Sequence, residues 1–478
     1  MKRIDRILAM ASVLALALTA LSCSKPEEAP VPSGTAVPEL VSSVPEDGAS
    51  GIMGSSLSMV VTFDSNVLCP TAQQDRITVD NGAAIESVEA YMKDVTIVLS
   101  GLQGGMTYTV MLPSGTVTGY SGTAAEDISI SFTTGESVSV EDQVIDENPV
   151  TEDAIPAVGK VYSYLRSIYG QKTLSGAMAN VAWNTDEAEW VGKYTGLYPA
   201  IAFFDYIHLA SSPTNWIDYG DITPALSWWN AGGLVGASWH WNVPPTSADI
   251  GNVSTYTFDA DIDFSAAEAV KDGTWENTVI KADLEKISGY LKLLQDKGIP
   301  VLWRPLHEAA GNTYTQWHTG AWFWWGADGA QAYKDLWIYM FNWFRDAGIR
   351  NLIWVWTTQT SGPEDADFDF YPGDEYVDII GKDIYNVSDA SGIASQFTAV
   401  LQYSSHKMVT LSELGGIPDM GSCWDSGARW LYFMPWYDYA NDGSENFAHA
   451  NADIAWWKSS YASDAVVSRD DLPAELFQ

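Results

Sequence analysis

Beyond Pro156, eight short β-rich runs recur: KTLSGAM, YPAIAFFDYIH, GLVGASWHW, PVLWRPLHE, NLIWVWTTQ, VDIIGKDIY, KMVTLSELG and ARWLYFMPWYD. Each closes on a cluster of polar and aromatic residues, and helical patterns separate them. The clearest is NTVIKADLEKISGYLKLLQDKG, where Ile280, Leu284, Ile287, Leu291 and Leu294 fall at helical spacing and Gly298 supplies a C-terminal stop. The runs are nearly continuously apolar, as parallel strands covered on both faces must be. Eight such strand–helix repeats predict closure into a (β/α)8 TIM barrel, an α/β fold whose active site lies at the C-terminal strand ends. A doubly wound open sheet is the alternative, but no glycine-rich phosphate loop follows the first run.

A different regime precedes the barrel. From Glu39 to about 136 the runs LSMVVTF, DVTIVLS, YTVMLP and ISISFTT alternate apolar and polar residues between Gly, Asn and Ser clusters, the spacing of a small all-β sandwich. SSVPEDGASGI and SFTTGE resemble the edges of bacterial Ig-like domains. All 22 Trp and all six His lie beyond Pro156, so the sandwich offers no indole platform and no imidazole base, and it reads as a spacer. Residues 137–155, acidic and without periodicity, read as a linker, and 156–478 as the catalytic domain.

The N-terminus reads as an address. Lys2, Arg3 and Arg6 precede the apolar run Ile7 to Leu21, shorter than a spanning helix needs, so 1–22 is expected to be a signal peptide. The run stops at Ser22-Cys23, and Cys23 resembles the lipid-modified first residue of a bacterial lipoprotein. The Pro-rich stretch 23–38 is expected to be an extended tether. Its Lys25-Pro26-Glu27-Glu28 resembles the export tag of Gram-negative surface lipoproteins. An outer-membrane lipoprotein at the cell surface is therefore expected, with secreted or periplasmic placement the alternative. A formal net charge of -37 repels phosphate backbones, which argues against nucleic acid as a partner.

The strand ends supply the candidate chemistry: Asp205, Tyr206 and His208; His240 and Trp241; Arg304, His307 and Glu308; Trp356; Asp383 and Tyr385; Glu413; and Trp436. Glu308 follows the fourth run and Glu413 lies within the seventh, so both are expected at one mouth. A glutamate pair there is what glycoside cleavage requires. One carboxyl protonates the departing oxygen while the other attacks the anomeric carbon. Indole faces suit the flat C–H faces of sugar rings. His208, His318, His406 and His449 read as structural or surface residues. HEAAG lacks the second His a zincin needs, no Cys pair exists and no GxSxG elbow occurs; neither metal nor cofactor is expected.

In order and spacing, WRPLHE, WFWWG, YPGDEYVDIIGKDIY and TLSELGG resemble glycoside hydrolase family 26, whose best-known members are retaining endo-β-1,4-mannanases on a (β/α)8 barrel. The resemblance implies Glu308 as acid/base and Glu413 as nucleophile. It implies His307 at the sugar beside the cleavage point, and Tyr385 as the group that hydrogen-bonds the nucleophile. Arg304 and His240 match supporting or subsite positions, Trp241 beside His240 is expected to bind substrate with them, and Trp322 and Trp436 match stacking positions. Between the acid/base and WFWWG the stretch AAGNTYTQWHTGA intervenes, bringing Trp317 and His318 beside the cleft; the segment from Pro244 to Asn277 is a second expected cleft wall.

The expected activity is a monomeric, retaining endo-β-1,4-mannanase acting on mannan-type polysaccharide, Glu308 neutral and Glu413 anionic. A mixed-linkage β-glucanase or β-1,3-xylanase of the same family, and a non-catalytic glycan-binding lipoprotein, are the alternatives.

Overall fold

The computed structural model describes residues 37–478, except 55, 137, 181–182, 215, 312–319 and 360–366. The signal segment, Cys23, most of the tether, Trp317 and His318 therefore lie outside the described residues.

Each of the eight runs contains a strand: β1 Thr173–Met178, β2 Ile201–Asp205, β3 Leu234–Trp239, β4 Val301–Pro305, β5 Leu352–Thr358, β6 Ile379–Tyr385, β7 Met408–Gly415 and β8 Tyr432–Pro435. All pair in parallel with their sequence neighbours, and β8 pairs with β1, which pairs with β2, so the sheet closes. The open-sheet alternative is thereby excluded. A two-residue strand, Val466–Val467, pairs in parallel with the first residues of β1, Thr173 and Leu174.

Helices α1 Pro156–Ile168, α2 Asp186–Thr195, α3 Thr223–Asn230, α4 Trp275–Gln295, α5 Ala330–Asp346, α6 Ala390–Leu401, α7 Met420–Asp425 and α8 Ile454–Tyr461 follow the strands around the outside, apart from α1, which precedes β1. Ile280, Leu284, Ile287, Leu291 and Leu294 of α4 are all buried, each contributing roughly 1.5–3 kcal/mol of gross burial energy. Thr274 caps its start, its hydroxyl accepting from the Asn277 N–H at 3.1 Å. Gly298, at φ +71°, turns the chain towards β4.

Two four-stranded sheets form the preceding sandwich. One runs Leu40–Val44, Ser56–Phe63, Asp94–Ser100, Ala84–Tyr91; the other Ala49–Ile52, Ile128–Thr134, Thr107–Leu112, Thr78–Val79. Met59, Val61, Ile97, Leu99, Val110 and Phe132 fill the space between them.

From Gln143 onward the expected linker is a strap laid on the N-terminal face of the barrel. The Val144 and Asp146 N–H groups donate to the carbonyls of Ser405 and His406. The buried Asp378 carboxylate, just before β6, accepts from Val150 N at 2.7 Å and from Trp354 N at 2.8 Å. Most of these bonds use backbone groups, which leave no periodic signature in sequence.

Candidate active site

Strand alternation builds the floor of the mouth. Arg304 on β4, Thr357 on β5, Asp383 on β6 and Ser412 on β7 all face the barrel interior and form a closed polar ring. The fully buried Arg304 guanidinium pairs with Asp383, donates through Nε to Thr357 Oγ1 at 3.2 Å, and places Nη2 3.0 Å from Glu413 Oε2. Thr357 donates to Ser412 Oγ at 3.2 Å, and Ser412 donates to Asp383 Oδ1 at 2.7 Å. Ring members satisfy one another, as buried polar groups must.

Above this ring sit the two glutamates. Carboxylate oxygens of Glu308, Asp383 and Glu413 all lie within 4.8 Å of one another. Three clustered carboxylates are a possible cation site, but the positive charge among them is already supplied by Arg304. Tyr385 donates its phenol proton to Glu413 Oε1 at 2.5 Å.

Glu308 is presented by a turn of unusual backbone. Leu306 and Glu308 have φ of 48° and 52°, a left-handed conformation that strains a residue bearing a side chain. Neighbours hold the turn through its backbone. Tyr333 Oη donates to Leu306 O, Trp325 Nε1 to His307 O, and Glu308 N to Thr357 O. The last residue of WFWWG is glycine because a Cβ at Gly326 would stand 1.8 Å from the Ala309 carbonyl oxygen.

Environment separates the two glutamates. Burial raises Glu308 well above the usual carboxylate range, and the negative charges of Asp383 and Glu413 add to it, with Arg304 opposing. Glu413 is raised, chiefly by burial and then by Asp383, to about 7, while Arg304 and the Tyr385 hydroxyl pull it back. Glu413 has a guanidinium and a phenol in direct contact, so the first proton to leave the pair is its own. His307 is driven well below its ordinary range by burial and by the charge of Arg304, so it meets a ligand as a neutral hydrogen-bonding ring.

A family model described as Glycosyl hydrolase family 26 matches residues 150–463. The chain belongs to glycosyl hydrolase family 26. A Bacterial Ig-like domain model matches residues 34–134. Mannan endo-1,4-beta-mannosidase B of Piromyces sp is 33% identical over 335 residues, covering 68% of this chain and 53% of that protein. The chain thus spans about half the length of that relative. Among solved structures, the family-26 domain of an endo-beta-mannanase/endo-beta-glucanase from Prevotella bryantii is 41% identical, with a TM-score of 0.62 over 68% of this chain and 99% of that one. A beta-mannanase from a symbiotic protist of the termite Reticulitermes speratus, complexed with gluco-manno-oligosaccharide, is 32% identical, with a TM-score of 0.58 over 69% and 99%.

Around the family-26 glutamates the structure gathers most of the residues singled out in the sequence. His240 sits with its ring 4.4 Å from His307 and 5.7 Å from Trp436 (centroid distances), and its Nδ1 is 2.5 Å from Asp205 Oδ2. Trp436 is half-buried at the end of β8. Trp322, also half-buried, lines an open depression of about 600 Å³ with Asp259, Asp261 and Gly320.

Trp241 is a correction. It is fully buried, stacked on Trp239 at 3.9 Å, and donates from Nε1 to Asp283 Oδ2, so it is a pillar beneath the site rather than a surface for sugar. Asp383 and Asp205 carry more of the geometry than their place as plain strand ends suggested. The available signal was alternation: Asp383 and Tyr385 share one face of β6, as do Arg304 and Leu302 of β4.

Removing the Tyr385 hydroxyl tests the anionic role of Glu413. A hydrogen bond to a charged group is worth about 1.5–3 kcal/mol, so Tyr385→Phe is expected to move the acid limb of the kcat/KM profile up by roughly one to two pH units. An unmoved acid limb would remove Glu413 as the group titrating there.

Proposed function

We propose that this protein is a retaining endo-β-1,4-mannanase. The observation that carries the reading is the approach of Glu308 and Glu413 to within 4.8 Å across one mouth, close to the spacing of about 5–5.5 Å used for retention rather than the wider gap that admits a water. In this reading Glu308 gives its proton to the glycosidic oxygen while Glu413 attacks the anomeric carbon, forming a covalent mannosyl-enzyme. Glu308, now a base, takes a proton from the water that releases the sugar. Arg304 and Tyr385 hold Glu413 aimed and anionic, neutral His307 and the His240–Asp205 pair bind sugar hydroxyls, and Trp436 and Trp322 stack against sugar rings.

The mannan preference is supported by the names of the relatives. Incubation with mannan, glucomannan, lichenan and β-1,3-xylan, with product sizing, tests it. Internal cleavage of mannan or glucomannan, with the β-anomer released first by NMR, is the expected result. Faster cleavage of lichenan or xylan, or release of the α-anomer, overturns the specificity or the stereochemistry respectively.

We further infer a monomeric lipoprotein anchored through Cys23 to the outer membrane and facing the medium, on the strength of the basic start, the apolar run and the Cys that ends it. Fatty-acid labelling of the cells is expected to mark the protein and to miss Cys23→Ala. Labelling that survives this substitution removes the anchor from Cys23.

A further inference from the structure

Behind β6 lies a charge pair that the chemistry above does not use. Lys382 precedes Asp383 in the strand, so it faces away from the mouth, and it is fully buried. Among the described residues the carboxylate within reach of its ammonium is that of Asp367, with Oδ2 3.5 Å away, and Asp367 is equally buried. Isolated buried charges are expensive, so an ion pair kept here in place of apolar side chains calls for a purpose other than packing.

The pair leads back to the turn that carries the acid. Asp367 Oδ1 accepts from Gln359 Nε2 at 2.8 Å, and the same Nε2 reaches the Gly311 carbonyl at 3.3 Å. Gly311, at φ 51°, closes the left-handed turn, its N–H donating to the Glu308 carbonyl. Two acceptors on one amide nitrogen fix which way round the Gln359 amide lies, because its carbonyl oxygen could bond to neither. That selection requires Asp367 to be an acceptor only. Burial pushes Asp367 up to about 6, and Lys382 opposes the rise. A protonated Asp367 could donate, the amide could turn over, and the tie to Gly311 would be lost.

We propose that Lys382, Asp367 and Gln359 are positioning residues for the family's proton transfer: a buried brace that holds the strained Glu308 turn in place from behind the barrel wall. The side-chain bonds of the brace lead from Asp367 through Gln359 to Gly311 and the Glu308 turn, so it bears on protonation of the leaving group and later activation of water rather than on attack by Glu413. This proposal rests on Glu308 being the acid/base.

The test compares wild type, Lys382→Met, Gln359→Leu and Glu308→Ala on mannohexaose and on 2,4-dinitrophenyl β-mannobioside, whose leaving group needs no proton. For Lys382→Met and Gln359→Leu, kcat/KM on mannohexaose is expected to fall about 10- to 100-fold, as a misplaced catalytic group does, while kcat/KM on the aryl substrate stays within about twofold. Azide, which attacks the glycosyl-enzyme without a base, is expected to raise kcat on the aryl substrate in both variants but not in wild type. Equal losses on the two substrates would show a merely structural role and overturn the brace, as would unchanged activity on mannohexaose in either variant. If Lys382→Met does not fold, Gln359→Leu, which alters no charge, decides alone. Glu308→Ala separates the two levels: if it also loses the aryl substrate, the acid/base reading itself fails; if it spares it while the brace variants lose both, the brace alone fails.

Discussion

Glu413→Gln is expected to lose mannan hydrolysis by on the order of 10⁴-fold or more while remaining folded, because an amide of the same shape cannot form the glycosyl-enzyme on which both half-reactions depend. The same substitution has a second, opposite signature in stability. The folded-state value of Glu413, about 7, stands above its ordinary 4.5. An acid raised in this way supports folding fully below its unfolded value and loses that support as pH rises through its folded value. The wild type therefore loses stability between pH 4.5 and about 7 that the glutamine variant does not lose. Thermal melting across this range is expected to favour the variant increasingly towards the alkaline end. A variant that still turns over mannan within about tenfold of wild type would remove Glu413 as nucleophile.

Glu308→Ala is expected to separate substrates rather than abolish reaction. General acid assistance contributes about 10²- to 10⁴-fold, so kcat/KM on mannan is expected to fall by that range. Activated aryl mannosides should retain theirs, since their leaving groups depart unprotonated. Turnover of these substrates then stalls at the glycosyl-enzyme, and azide is expected to relieve the stall and yield the β-mannosyl azide, the product of double displacement. Equal loss on natural and activated substrates would rule Glu308 out as the acid. An α-mannosyl azide would exclude a covalent intermediate on Glu413.

The barrel was legible because its periodicity is repeated eight times and each strand is covered on both faces. The sandwich was read less completely. LSMVVTF and ISISFTT announce strands, whereas Ala84–Tyr91, with two glutamates and no buried residue, does not look like one until it pairs along Asp94–Ser100. At the site, Glu308 and Glu413 stood out by residue type and strand number. Trp241 is buried beneath the site because adjacency to His240 sets no shared direction: successive side chains beyond a strand need not face the same space. The acid/base turn was invisible for another reason: its left-handed residues are leucine and glutamate, and the groups that hold it, from Gln359 to Tyr333, are brought together only when the strands and helices close. Asp367 and Lys382 belong to the same class of contact.

The strap of residues 143–151 has a consequence for how a polymer is met. Because residues 143–151 cross the end of the barrel remote from the glutamates, the Ig-like domain is joined to the barrel on the side away from the catalytic opening. On the proposed reading, a long polysaccharide bound for mid-chain scission would lie across that opening without passing the strap that carries the preceding domain.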